Sequence, residues 1–227
     1  MATVVDDGRV ATTGRGRPRS ARALSRLPAG AIVVLVCVAL AVVSELVAPS
    51  VPIYDEFSWL VWGREISHQL IGPHQALNFL GGPSWKPLPV LVTTIFSFFG
   101  SSAVTLWMVF VRAAGLLGLY LAYRVGSRLG ATERWRLAGP VAGVLAAAAL
   151  VLTESWFHFM FRATSEPLTI TATLLWVDRE LAGRRLQGLA AGAALACMRP
   201  EAGVFLALYA AWCLWLVMGF GMRVVLV

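Results

Sequence analysis

Charged residues are scarce in this chain. Asp, Glu, Lys and Arg make up 14% of its 227 residues, whereas 58% are hydrophobic and the mean hydropathy is +0.73. A soluble globular domain carries about 25% charged and about 45–50% apolar residues. The composition therefore excludes an ordinary soluble domain and predicts a membrane protein.

Cysteine is also scarce and carries no visible chemistry. Cys37, Cys197 and Cys213 all lie within apolar runs, where a thiol behaves as a small hydrophobic group. Neither a disulfide framework nor a zinc-binding pattern can be read from them. The three histidines lack metal-ligand spacing as well, so we assign no residue to a metal site.

Lysine occurs once, at Lys86, against 18 arginines. The net charge is +7, and residues 1–28 supply +4 of it through six arginines set against Asp6 and Asp7. Most of the remaining arginines flank apolar stretches, and none form a stripe with aromatic residues, which argues against a nucleic-acid partner. We interpret the excess as a topology signal and expect residues 1–28 to be a disordered tail in the cytoplasm.

Long apolar runs predict an all-α, polytopic membrane protein with about 5–7 transmembrane helices. The first run, 29–48, is long enough to cross a hydrocarbon core of about 30 Å. Others follow at 137–152, 167–177, 186–198 and 202–222. The stretch 88–123 is divided near Gly100, and its first piece would cover only about 18 Å as a helix. We expect that piece to be a partial element and leave the number of crossings there open.

Arginine clusters set the predicted orientation in the plasma membrane. The positive-inside rule assigns the tail and the arginines at 124–136 and 179–185 to the cytoplasm. Residues 49–86, 153–166 and 199–201 then face outside. Within the first of these loops, Trp59 and Trp62 recur at helical spacing, which predicts an amphipathic helix at the membrane interface.

Ionisable side chains of both signs gather at this predicted external face. A carboxylate in the first turn of a helix is kept ionised by the helix dipole and can act as a general base. Lysine and arginine side chains at the same face would bind an anionic group such as a phosphate. The candidates are Asp55, Glu56, Lys86, Arg162, Glu166, Arg199 and Glu201.

Each candidate also has a structural interpretation. Asp55 and Glu56 could cap their helix, and Lys86 could extend to lipid headgroups. Arg162 and Glu166 could form an ion pair at i, i+4 spacing. Arg199 could pair with Glu201 or with a neighbouring helix.

The order of these motifs resembles the GT-C superfamily of polyprenyl-phosphate-sugar-dependent glycosyltransferases. Tyr54-Asp55-Glu56 opens the first external loop and Trp85-Lys86-Pro87-Leu88-Pro89 ends it. The later segments 161–168 and 198–201 are similar to sequences in which an arginine precedes an acidic residue at the start of a membrane helix. The likeness is strongest to the protein O-mannosyltransferase and aminoarabinose transferase branch, and it covers roughly residues 29–220.

The resemblance implies inverting transfer of a mannose- or arabinose-like sugar from polyprenyl phosphate to an external hydroxyl. Asp55 would be the general base, and Glu56 would position the acceptor or Asp55. Lys86 would stabilise the leaving phosphate, with Arg162 or Arg199 helping. The implied partners are the lipid-linked sugar and membrane lipid, and a divalent metal ion is left open as a cofactor.

Members of this family are longer than this chain. We therefore expect residues 29–227 to form a GT-C-like transmembrane module that is incomplete at its C-terminus. Two alternatives stay open. One is a truncated, non-catalytic module that needs a second chain, and the other is a small membrane transporter.

Overall fold

The computed structural model of the chain describes residues 28–72, 86–132 and 135–225. Within these ranges the regular structure is entirely helical, which confirms the predicted all-α class. The predicted disordered tail, apart from Pro28, lies outside the described residues, as do His74, Trp85 and Arg134. The described helices are α1 (Ala29–Val47), α2 (Tyr54–Ile71), α3 (Pro87–Ser97), α4 (Ala103–Leu129), α5 (Ala138–Val151), α6 (Trp156–Phe161), α7 (Glu166–Leu181), α8 (Arg185–Ala196) and α9 (Ala202–Val225).

Two segments of the described chain are long and apolar enough to cross a membrane. They are α1 and the continuous stretch Gly100–Leu129, in which a short 3-10 turn leads into α4. The surface of α1 is itself apolar, since Leu35, Leu40 and Val43 are each more than half exposed. The larger number of crossings expected from the sequence stays a prediction.

The divided stretch 88–123 consists of a short helix, a turn and a long helix. At 1.5 Å per residue, the 11 residues of α3 span about 16 Å, which is too short to cross a bilayer. Gly100 in the turn has φ of 61°, a left-handed conformation that glycine adopts without strain. The arrangement agrees with the partial element expected before Gly100.

A tryptophan-rich core lies where α2, α3 and α4 meet. Trp59 and Trp107 are fully buried, and their ring centroids lie 6.1 Å apart at a steep angle. The Thr93 hydroxyl on α3 donates a 2.7 Å hydrogen bond to the carbonyl of Trp59. Trp62 is buried too, so the tryptophans of α2 pack on protein rather than on the membrane interface predicted for them, because α3 and α4 cover that face.

A buried arginine ties the end of α1 to the middle of α4. Arg112 is 1% exposed and lies 2.7 Å from the carboxylate of Glu45. Its guanidinium also donates hydrogen bonds to Ser44, Ser50 and the carbonyl of Ala48. These contacts account for the polar residues inside the first apolar run, and they fix the segment that leads into α2.

Candidate functional site

Five of the seven predicted site residues lie in one region, which we call the mixed-charge cluster. Two carboxylates come from the first turn of α2, and the single lysine directly precedes α3. A third carboxylate begins α7, and an arginine lies between α8 and α9. The members are Asp55, Glu56, Lys86, Glu166 and Arg199, and the pKa of Lys86 responds to the charges of the other four.

Lys86 is buried, with 8% of its surface exposed. Its ammonium donates a 2.6 Å hydrogen bond to the hydroxyl of Ser165 and lies 5.1 Å from the ring centre of Trp59. Burial lowers the pKa of Lys86, and repulsion from Arg199 lowers it further. These contacts do not fit a side chain that extends to lipid headgroups.

The hydroxyl that meets Lys86 is held by an unusual turn between α6 and α7. Ala163 has φ of 55°, a left-handed conformation that is uncommon for a residue other than glycine. Its carbonyl accepts a 3.2 Å hydrogen bond from the indole of Trp107, and Ser165 beside it is almost fully buried. Strained backbone of this kind clusters at functional sites.

Sequence reasoning missed both direct contacts of the lysine. Ser165 lies between two candidate residues but was not singled out, and Trp59 was assigned to a membrane-facing surface. The only available signal for Ser165 was its position just before the carboxylate that begins α7.

Glu56 is the most unusual carboxyl group of the cluster. It is 3% exposed, and its Oε2 has no hydrogen-bond partner among the described residues. Burial raises the pKa of Glu56 to about 7, against the opposing effect of a hydrogen bond from its own backbone. The neighbouring charge of Asp55 raises the pKa as well, so this carboxyl group exchanges its proton near neutral pH.

Asp55 lies beside Glu56 but is only partly buried. The N-cap residue of α2 is Ile53, and no side chain caps this helix end with a hydrogen bond. Neither carboxylate therefore takes the N-cap position that was the structural alternative. Both lie within the first turn, where the helix dipole favours negative charge.

Glu166 and Arg199 form an ion pair at the edge of the cluster. The distance between Arg199 Nη2 and Glu166 Oε1 is 2.9 Å, and both side chains are about one-third exposed. Arg199 thus pairs with a neighbouring helix, as one alternative allowed, and the predicted pair with Glu201 is wrong. The predicted pair of Arg162 with Glu166 is also wrong, because Arg162 follows α6 whereas Glu166 begins α7.

The other two predicted residues stay outside the cluster. Arg162 and Glu201 are exposed, and neither forms an ion pair with another residue in the described ranges. Among the described residues, the mixed-charge cluster thus contains two cations, Lys86 and Arg199.

The cluster carries groups that can bind an anion and groups that can accept a proton. Its two cations can bind a phosphate, and its carboxyl groups can accept a proton. In the part of the chain that the structure describes, no three His, Cys, Asp or Glu side chains are arranged to hold a metal ion. Whether a divalent ion binds elsewhere in the protein stays open.

Fold and site together define an all-helical protein with two segments able to span a membrane and a buried cluster of mixed charge. Comparison with known proteins gives no match to a family model, a curated protein or a solved structure.

Proposed function

We propose that this chain is a membrane glycosyltransferase. It moves a mannose- or arabinose-like sugar from a polyprenyl-phosphate donor to an acceptor hydroxyl at the external face of the plasma membrane, with inversion. The observation that carries this proposal is the burial of Lys86 beside Glu56, with a hydroxyl and an indole ring as its direct contacts.

A buried lysine is costly unless a negative group compensates it. No carboxylate of the described chain forms an ion pair with Lys86, although several lie close enough to act on its pKa. A phosphate that contacts the ammonium group of Lys86 would provide the direct ion pair that these carboxylates do not form. Lys86 and Arg199 would then stabilise the phosphate as it leaves, an electrostatic effect that is strong in a site with little water.

The carboxylates supply the proton acceptor. Asp55 is accessible enough to meet an acceptor hydroxyl, whose proton it removes while the oxygen attacks the anomeric carbon. The bond from that carbon to the phosphate oxygen breaks, and the phosphate leaves with the negative charge. Glu56, the next residue in the same helical turn, would position the acceptor or Asp55.

A multi-pass location in the plasma membrane is supported by the two candidate spans and by the exposed apolar face of α1. The arginine-rich tail and the arginines near the end of α7 favour a cytoplasmic N-terminus. The mixed-charge cluster lies at the start of α7, away from those arginines, as an externally facing site requires.

A transfer assay tests the proposal. Membranes that contain the full-length chain are given radiolabelled polyprenyl-phosphate mannose or arabinose, and Asp55→Asn is compared with Glu154→Gln. Glu154 is an exposed carboxylate between α5 and α6, so it is a matched control. We expect Asp55→Asn to lose transfer by about 10²–10⁴-fold at unchanged expression, whereas Glu154→Gln keeps it.

Unimpaired transfer by Asp55→Asn would contradict the assignment of the base. Transfer that occurs only with a second chain would favour the non-catalytic module, and solute uptake without transfer would favour the transporter.

A further inference from the structure

A cavity of about 270 Å³ lies between α1, α4, α7 and α8, at the end of α7 remote from the mixed-charge cluster. Apolar side chains, among them Val34, Leu121 and Leu175, line much of it, whereas Arg124 and Arg179 provide polar lining. Because Val34 is 45% exposed, the cavity opens onto the apolar surface of α1. The cavity thus combines an apolar groove with two guanidinium groups.

The two arginines that line the cavity belong to a group of side chains with excess positive charge. Asp178 is fully buried and pairs with Arg124, Arg128 and Arg179 at 3.1, 3.0 and 2.6 Å. One carboxylate therefore faces three guanidinium groups, which leaves an excess of two positive charges. The Nε of Arg179 is also buried without a hydrogen-bond partner in the described part of the chain.

The position of the cavity matches the depth of a lipid headgroup. Both candidate spans have an end here, since α1 begins at Ala29 and α4 ends at Leu129. Arg124 lies in the last two turns of α4, whereas Leu121 and Leu117 lie progressively further into that span. In a bilayer crossed by these two candidate spans, the guanidinium groups would lie at the membrane boundary and the apolar lining would extend inward.

We propose that this cavity binds an anionic glycerophospholipid. The headgroup phosphate pairs with Arg124 and Arg179, and one acyl chain lies against Val34, Leu121 and Leu175. Basic pockets between helices at the membrane surface suit such headgroups, and arginine forms strong hydrogen bonds with phosphate. This site is separate from the mixed-charge cluster and does not depend on the glycosyltransferase activity.

Two variants separate the apolar and polar parts of the site. Gly30 is the second residue of α1 and lines the cavity, and a Cβ built there meets nothing within 4 Å. Gly30→Leu therefore adds bulk at the cavity without disturbing the arginines. Its matched control is Gly203→Leu, at the second residue of α9, where a Cβ also meets nothing within 4 Å. Arg179→Gln removes one of the two guanidinium groups.

Native mass spectrometry measures the bound lipid directly. The full chain in neutral detergent is given equal amounts of phosphatidylglycerol and phosphatidylcholine. We expect wild type and Gly203→Leu to retain one phosphatidylglycerol in preference to phosphatidylcholine. Gly30→Leu should bind it at least tenfold more weakly, and Arg179→Gln should lose the preference for the anionic lipid.

Several outcomes would overturn the proposal. Equal retention by Gly30→Leu and Gly203→Leu would show that the lipid lies elsewhere, and this comparison stands even if Arg179→Gln fails to fold. Equal binding of both lipids by wild type would exclude recognition of charge. Displacement of the lipid by free glycerol phosphate would exclude a role for the acyl chain. Loss of lipid only when the six arginines of residues 1–28 are replaced by glutamine would assign the binding to that segment.

Discussion

Charged side chains gather near both ends of α7, but the two groups differ in how completely their members are paired. Near its C-terminal end, Asp178 is fully buried and both of its carboxylate oxygens meet arginines at 2.6–3.1 Å. At its N-terminal end, Lys86 meets the hydroxyl of Ser165, and the nearby Glu56 keeps a carboxylate oxygen without a partner in the described chain.

The difference separates a structural cluster from a candidate reaction site. A buried carboxylate with all its partners in place holds helices together. A buried ionisable group without a charged partner lowers the stability of the fold. Proteins retain such groups at sites where a ligand or a proton neutralises them. On this reasoning Asp178 stabilises the fold through its three arginines, whose excess positive charge stays available to the proposed lipid, whereas the charges around Lys86 form the proposed reaction site.

Removal of the Asp178 carboxylate, near the C-terminal end of α7, should have the largest effect on the free energy of unfolding. Asp178→Asn leaves three arginines without their buried counter-charge, and we expect the free energy of unfolding to fall by about 3–5 kcal/mol. Denaturation in detergent, followed by tryptophan fluorescence, measures this loss. A variant as stable as wild type would mean that the carboxylate does not hold α4 and α7 together.

Lys86→Met tests the opposite end of α7. The change keeps an unbranched side chain and removes the charge, so we expect kcat/KM for the polyprenyl-phosphate donor to fall by about 10²–10³-fold. The free energy of unfolding should stay the same or rise, because an incompletely compensated buried charge is lost. Unchanged donor kinetics would assign Lys86 a structural role and remove the contrast between the two ends.

Glu56, near the N-terminal end of α7, should make the stability of the protein depend on pH. Its pKa is about 7 in the folded protein, against an ordinary value of 4.5, because burial favours the protonated form. Wild type should therefore lose stability as the pH rises from about 4.5 through 7, by an amount on the order of 3 kcal/mol. Glu56→Gln should abolish this loss and be the more stable protein above pH 7.

The measurement is the unfolding free energy as a function of pH for wild type, Glu56→Gln and the exposed control Glu154→Gln. If the wild-type and Glu56→Gln profiles run parallel, Glu56 does not titrate as described.

Disturbing the close contact between α2 and α3 should cause the smallest of the expected losses in the free energy of unfolding. A Cβ at Gly63 would lie 2.6 Å from the backbone carbon of Thr93, so Gly63→Ala must push the two helices apart. We expect a loss of about 1–3 kcal/mol and slower sugar transfer, because Asp55 and Lys86 belong to the separated elements. Gly203→Ala is the control, since its Cβ has open space and should be tolerated. Equal stability of the two variants would show that this contact is unimportant.

The helices were predictable because each apolar run is a local property of the chain. The order of Asp55, Lys86 and Glu166 along the sequence also pointed to one site, and the structure brings these residues together. Sequence patterns did not show which groups pair. Ser165 reaches Lys86 only because the backbone at Ala163 turns sharply, and such a turn leaves no periodic signal.

The ion pairs of Asp178 were harder to predict for a similar reason. The arginines at 124–136 and 179–185 were interpreted as topology signals, and nothing in the local sequence marked Asp178 as the common partner of Arg124, Arg128 and Arg179. That partnership depends on the packing of α7 against α4, which brings together residues that are 50 or more positions apart. Charge counts describe the excess of arginine but not the contact.

The most direct test is the rate of sugar transfer per folded molecule for Asp55→Asn and Asp178→Asn, measured on the same samples as their unfolding. We predict that Asp55→Asn unfolds like wild type but transfers sugar about 10²–10⁴-fold more slowly, whereas the folded fraction of Asp178→Asn transfers at close to the wild-type rate. The opposite result would contradict this prediction: Asp55→Asn would transfer sugar at the full rate, and only folded Asp178→Asn would lose transfer.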